Sequence, residues 1–453
     1  SGLTVAHELV RRGRNVVLLE RQVMAGGNAI SERIDGFLME HGPSSLSSAS
    51  EAAGELSARL GLERERVPLG PDVRYRHLTK AGKLAPVPVH PFGFLTAPYL
   101  SLTGRLRLLG EVVVPRKRRP GEETVAAFCS RRFGAEFAEK VIDPLAGGLF
   151  AARASELSMA ATFPRLMDME RRHRSVTIAA ARRFRRGGRM PARRLTSWRD
   201  GMGTLPRAIA AALGGRIHTG KAIRRIVPRP GGFRVEAGRH GAFDARSVVI
   251  ATQPHVTGTF LESMDREAAE AALAIPAPPI AVVFLGYRRR QIAHPLDGIG
   301  YLTPETEGRD VTGALFPSTM FEGRAPEGHV ALAAYVGGSR KPELAGAPAQ
   351  SLVELVRDEF HDLLGARGDP VVARVRQWPR GLPQTCLGHQ GRVAALTRAE
   401  ELLPGLFLTG NYFSGPGVGA CIDRAAQTAV RAEAHLQGLD RGAGAADIGR
   451  IGA

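Results

Sequence analysis

The chain has 453 residues, 43% of them hydrophobic, which is enough for two or three domains around a sizeable core. Its 62 Lys+Arg against 44 Asp+Glu leave a net charge of +18, a field that favours anionic partners, but no zinc-finger, RRM or helix-turn-helix pattern points to nucleic acid. No window approaches eighteen uncharged apolar residues, which excludes a membrane-spanning helix, and three widely spaced cysteines (Cys129, Cys386, Cys421) fit neither a disulfide framework nor a zinc site.

Apolar positions at Leu3, Val5, Ala6, Leu9 and Val10 predict a helix that Gly13 ends. NVVLLE follows as a buried parallel strand closed by Glu20, and residues 51–62 read as a second amphipathic helix. From about 90 to 195 the texture is helical, mixing Phe, Leu and Tyr with arginine clusters at Arg116–Arg119 and Arg182–Arg194. That is the pattern of a helical subdomain or of a monotopic membrane contact. Residues 202–213 return to a helix. The segments GRIHTG, AIRRIVPRPGGFRVEA and ARSVVIAT then give short strands with Pro-Gly and Gly-Gly turns. A second mixed region covers 257–395. The buried strand GLFLTGN, the turn SGPGVGA and a helix from Cys421 close the pattern.

Nucleotide-type elements thus recur at the start, middle and end. They predict an α/β protein with a discontinuous Rossmann-like domain (1–88, 196–256 and 396–436) and an inserted α+β domain (257–395). A helical domain (89–195) and a flexible tail (437–453) complete the expected organisation.

Four motifs carry the chemistry. Ser1-Gly2-Leu3 has the form of the end of a G-x-G-x-x-G fingerprint, with Gly2 as its last glycine, which predicts that the first strand is missing. Glu20 lies 18 residues further on, near the spacing of an acid that bonds ribose hydroxyls. Gly26-Gly27-Asn28 after that acid is typical of FAD rather than NAD proteins, and Gly42 and Pro43 in Glu40-His41-Gly42-Pro43-Ser44-Ser45 offer backbone amides. Gly410-Asn411, with Gly415-Pro416-Gly417-Val418-Gly419 before a helix, offers further N–H groups.

Over almost its whole length the chain resembles the oxygen-dependent protoporphyrinogen oxidase family. The resemblance is carried by GKLAPVP (82–88), the stretch from RRFGAEFAEKVIDPLAGGLFAA to ELSMAATFPRL (131–166), SWRDGMGTLPRAI (197–209) and PLDGIGYLTPETEG (295–308). It continues through FEGRAPEGHVALAAYVGG (321–338), VRQWPRGLPQTCLGH (375–389) and LFLTGNYFSGPGVGACI (406–422). It implies an FAD cofactor held by Gly2, Glu20, Gly26, Gly27, Gly42 to Ser45, Ile223, Asn411 and Pro416 to Val418. It assigns Arg76 to a substrate propionate, with Arg74 as the fallback, and places Gly148, Leu296, Leu302 and Phe321 around the tetrapyrrole rings.

The implied reaction is a six-electron oxidation of protoporphyrinogen IX to protoporphyrin IX in haem biosynthesis, with dioxygen reoxidising the flavin to give hydrogen peroxide. No catalytic His or Cys and no metal are expected, since the flavin does the chemistry. Coproporphyrinogen III oxidation on the same fold is the alternative, and a non-catalytic tetrapyrrole binder is the alternative of another class. The resemblance further implies a cytoplasmic protein peripheral on the inner face of the cell membrane, with a homodimer among the assemblies open to it.

Overall fold

A computed structural model describes residues 1–88, 99–117, 121–185 and 195–448. The second half of the Arg116–Arg119 cluster and most of Arg182–Arg194 lie outside the described residues, as do 449–453.

The opening apolar periodicity forms α1 (Gly2–Arg11), whose inner face buries Val5, Ala6 and Leu9. The N–H of Gly13 closes its end on the Val10 carbonyl (2.9 Å), with Gly13 at φ +82°. NVVLLE supplies β1 (Leu18–Leu19), followed by a hairpin of β2 (Ser31–Ile34) and β3 (Phe37–Glu40). Next come β4 (Tyr75–Lys80) and β5 (Lys83–Pro88), then the helical region with α2 (Leu102–Leu109) and α3 (Asp143–Phe150). Helix α4 (Thr204–Leu213), β6 (Ile217–His218) and β7 (Val248–Ile250) return to the nucleotide-type pattern.

Further along, the elements that frame the site include β8 (Ile280–Arg288), β9 (Gly298–Leu302), β10 (Val311–Leu315), β11 (His329–Gly337), α5 (Ala349–Leu364), β12 (Val372–Trp378), β13 (Leu406–Leu408) and α6 (Val418–Ile448).

Parallel pairings join distant stretches of the chain. β1 pairs with β6 (Leu18↔Ile217) and β7 with β13 (Ile250↔Leu408), and helices α1, α4 and α6 cover them. The second layer is a seven-stranded sheet in the order β12-β8-β11-β10-β9-β4-β5, antiparallel except where β9 meets β4. One face buries Val283, Leu285, Leu332 and Ala334 against Leu352, Val356 and Phe360 of α5. The other face carries Val282, Phe284, Ala331 and Ala333, closed by Phe37 and Met39 of the hairpin.

Two sequence expectations change. Residues 75–88, grouped with the nucleotide elements, are strands of this larger sheet, because β4 pairs in parallel with β9, with a register shift between Gly298 and Tyr301, and β5 folds back onto β4. Residues 437–448, expected as a flexible tail, continue helix α6, with no Pro to stop it.

Candidate active site

At the nucleotide end, the start of α1 stands against the carboxyl end of β7: a Cβ on Gly2 would lie 3.2 Å from the Ala251 Cβ. Glu20 follows β1, its backbone N–H bonded to the His218 carbonyl (3.0 Å) and its Oε1 accepting from the Gln22 N–H (2.8 Å). Ile223 follows β6 and packs on the cluster of Ile250, Leu406 and Leu408. Asn411, Pro416, Gly417 and Val418 lie between β13 and α6. The expected cofactor residues therefore gather where parallel strands end and two helices begin, the usual nucleotide position in such sheets.

The glycine loops show why other residues are excluded. Gly26 and Gly27 have φ of +139° and +64°, which L side chains rarely adopt. A Cβ on Gly42 would lie 2.1 Å from the Asn28 carbonyl oxygen, so the 26–28 and 40–45 loops are in backbone contact. Trp378 Nε1 donates to the His41 carbonyl (2.8 Å) and fastens this loop to the last strand of the large sheet. Ser44 and Ser45 continue it.

The site also holds polar groups with nothing to bond. Thr409 Oγ1, Gln253 Oε1 and Ser47 Oγ are buried without a hydrogen-bond partner, Thr409 and Gln253 just beyond the carboxyl ends of β13 and β7. Buried polar atoms are rarely left unmatched, so this edge suits a polar ligand such as a dinucleotide.

Glu40 was legible as part of a loop motif but not as a site residue. Its carboxylate accepts from Ser31 Oγ (2.5 Å) and the Met202 N–H (2.8 Å), while the Gly203 N–H donates to Ser31 Oγ (2.8 Å). The carboxyl thus clasps the 200–203 turn to the β2–β3 hairpin. Burial pushes it up to about 7, against the lowering effect of these donors and of Arg324 and Arg207.

Three of the five expected substrate residues converge on the sheet face away from α5. Cross-strand register runs Val282–Tyr335–Gly313–Leu302–Leu78–Ala85, so these residues form one row across β8, β11, β10, β9, β4 and β5. Arg76 is two residues before Leu78 and shares its face. It is half-buried, burial lowers its pKa, and no acid or carbonyl pairs with it among the described residues. Arg74 is exposed, its backbone N–H bonded to the Asp297 carbonyl.

Gly148 on α3 meets Leu302 so closely that a Cβ there would lie 2.2 Å from Leu302 Cδ2. Helix α3 is held in place by Arg340, which donates to Asp143 Oδ2 (2.6 Å) and to the Thr303 carbonyl (2.6 Å).

Leu296 lies apart from this group, and Phe321 lies beneath Leu315, two residues along β10 from Gly313. Leu296, at φ +57°, is 2% exposed in the core against α5, on the opposite face. Phe321 is 2% exposed among Ile299, Met320 and Leu315, with the Arg324 guanidinium 5.4 Å from its ring. The row also contains Tyr335, a residue the sequence reading missed; the alternation in HVALAAYVGG, with Ala331, Ala333 and Tyr335 on one face, is the signal that could have found it.

No histidine cluster was expected, yet the topology brings His77, His294 and Asp297 within 4.8 Å of one another through their ligand-type atoms. His294 Nδ1 accepts from the Leu296 N–H (3.0 Å) and burial pushes the ring down to about 4, so the neutral imidazole carries its proton on Nε2. A protonated nitrogen cannot ligate. The His77 and His294 rings stack edge-on at 5.0 Å, and His77 Nε2 lies 3.4 Å from Asp297 Oδ1.

Comparison with known proteins gives a family and a shared fold. A family model described as flavin containing amine oxidoreductase matches residues 1–434. Chloroplastic protoporphyrinogen oxidase of Nicotiana tabacum is 30% identical, with 96% of this chain and 84% of the relative covered. Coproporphyrinogen III oxidase of Propionibacterium freudenreichii subsp. freudenreichii is 29% identical over 95% of this chain and 88% of its own. A crystallised chain from Exiguobacterium sp. 255-15 superimposes with a TM-score of 0.82 at 21% identity, covering 96% of both chains, which shows a shared fold.

Proposed function

The chain belongs to the flavin-containing amine oxidoreductase family, on its protoporphyrinogen oxidase side, and from that premise we propose that this FAD-dependent oxidoreductase oxidises a propionate-bearing porphyrinogen, protoporphyrinogen IX first, with dioxygen as acceptor. The observation that carries this reading is the unpaired Arg76 guanidinium on the same sheet face as Leu302 and Gly148.

Bound FAD supplies a two-electron acceptor. The chain supplies binding and orientation. Residues Gly2, Glu20, Gly26, Gly27, Gly42 to Ser45, Ile223, Asn411 and Pro416 to Val418 hold the cofactor along the strand ends. Arg76 offers a planar fork to one propionate and so fixes how the substrate lies. Leu302 lies against the rings, and Gly148 lets α3 close onto Leu302 where any side chain would clash. Leu296 packs in the α5 core, whereas Phe321 lies under Leu315, further along the face that carries Gly313 and Leu302.

The +18 charge, with Arg74 exposed on the approach to Arg76, favours coproporphyrinogen III and its four carboxylates as the second reading. The test is turnover of the two porphyrinogens side by side by the FAD-loaded chain, read as porphyrin fluorescence and oxygen uptake. Turnover of neither by a yellow, folded preparation refutes the reading.

A peripheral membrane contact at the inner face of the cell membrane belongs to the same proposal. Leu102, Leu106 and Leu109 of α2 and nearby Val113 are 72%, 61%, 57% and 81% exposed, with Arg116 and Lys117 also exposed beside them. An apolar stripe beside cations suits the boundary of an anionic bilayer. Among the described residues no helix is long and apolar enough to cross a membrane.

A further inference from the structure

A porphyrinogen buried in this pocket brings four pyrrole N–H groups with it. Each needs an acceptor, because a buried donor left unmatched weakens binding substantially. The side chains already placed around the rings provide none: Leu302 is apolar, Gly313 and Gly148 have no side chain, and Arg76 only donates.

A hydroxyl stands on this sheet face. Tyr335 of β11 sits in the same cross-strand row, next to Gly313, over which the Leu302 side chain leans: a Cβ on Gly313 would lie 3.1 Å from Leu302 Cδ2. Its ring packs against the Phe37–Met39 cluster. On the same face Ala331 and Ala333 are closed off at 0% and 6% exposure, whereas Tyr335 keeps accessible surface. Among the described residues its hydroxyl has no hydrogen-bond partner. Burial, with the Glu40 carboxyl in support, pushes the phenol up to about 12, so it stays neutral and can both donate and accept.

The spacing also fits. From β11 to β4 is three strand separations, about 14 Å, with Arg76 a further ~7 Å along its strand from the Tyr335 row. Tyr335 and Arg76 thus stand about 16 Å apart at their Cα atoms, a span to be bridged by half the macrocycle, one propionate arm and the reach of the two side chains.

We propose that Tyr335 is the residue that recognises the pyrrole nitrogens, accepting from N–H groups of the porphyrinogen and donating to the imine nitrogens that appear as it is oxidised. This assignment rests on the porphyrinogen reading and adds to it the group that meets the ring centre.

The test uses the FAD-loaded chain and two probes, free-base protoporphyrin IX and its nickel(II) complex, in which the metal occupies the nitrogens. Tyr335→Phe keeps the ring and removes only the hydroxyl. The expected result is a five- to tenfold weaker affinity for the free base, the worth of one neutral hydrogen bond, with unchanged affinity for the nickel complex and an unchanged flavin spectrum. Arg76→Ala should weaken both probes alike, since both carry propionates. Equal loss for both probes with Tyr335→Phe, or an unchanged free-base affinity with a shifted flavin spectrum, overturns the assignment while leaving the porphyrinogen reading intact. A wild-type chain that binds neither probe overturns that reading and the assignment with it.

Discussion

Gly148→Ala places a methyl group where the structure leaves room for none. The new Cβ would stand 2.2 Å from Leu302 Cδ2, while Leu302 Cγ and Cδ1 are already at ordinary contact, 3.4 and 3.5 Å. Reaching even the 3.4 Å edge of ordinary contact needs 1.2 Å of relief (3.4 minus 2.2). Helix α3 is pinned by Arg340 through Asp143, so the relief falls on the Leu302 side chain, which turns into the space proposed for the substrate. Overpacking of this kind costs about 1–3 kcal/mol, or roughly 5- to 150-fold if it is all expressed in kcat/KM. The assay is steady-state porphyrinogen oxidation, with flavin content and melting temperature measured on the same sample. Flavin content should not change, and Leu302→Ala added to Gly148→Ala should recover most of the loss, because the two changes act on one contact. Normal turnover in Gly148→Ala, with only a lower melting temperature, would show that the contact is ordinary packing and that the pocket lies elsewhere.

Arg76→Ala should lower kcat/KM for a propionate-bearing porphyrinogen by about 10- to 150-fold, the worth of a charge-assisted hydrogen bond, without loss of FAD; Arg76→Lys should recover only part, lacking the planar fork. Gly42→Ala drives a Cβ into the Asn28 backbone, which has no rotamer to escape by, so the purified variant should carry little FAD by absorbance. Glu40, raised to about 7, holds a proton in the folded chain that an exposed glutamate gives up near 4.5. Its stabilisation is complete below the lower value and lost as pH rises through the upper one. The melting temperature should therefore fall between pH 5 and 8, and Glu40→Gln should flatten that slope. Leu106→Glu should reduce co-sedimentation with anionic lipid vesicles while flavin content and the melting curve stay as in wild type.

How much of this was readable without coordinates follows from how local each signal is. The cofactor end was legible because each of its parts is settled within a few residues. Gly26 and Gly27 need their own positive φ, Glu20 ends its own strand, and the turn before α6 precedes its own helix. The substrate face was legible only through resemblance. Arg76 and Leu302 share a wall because β4 pairs in parallel with β9, more than two hundred residues away, and no periodicity within either strand reveals that partner. Gly148 meets them through α3, where a glycine in an apolar run reads equally well as helix packing.

Leu296 and Leu302 show why matched segments do not carry roles over evenly. Both lie in the stretch 295–308, but Leu296 adopts φ +57° and the β9–β4 register shifts between Gly298 and Tyr301. The irregular backbone between them leaves Leu296 in the α5 core and Leu302 on the pocket face. In a strand, one residue of slip exchanges the two faces, so a motif can match along its length while half of its side chains serve the core. Tyr335 is the converse case. Its segment was matched and its alternation was visible, yet only the row Tyr335–Gly313–Leu302–Leu78, assembled from four strands, puts it on the same sheet face as Arg76.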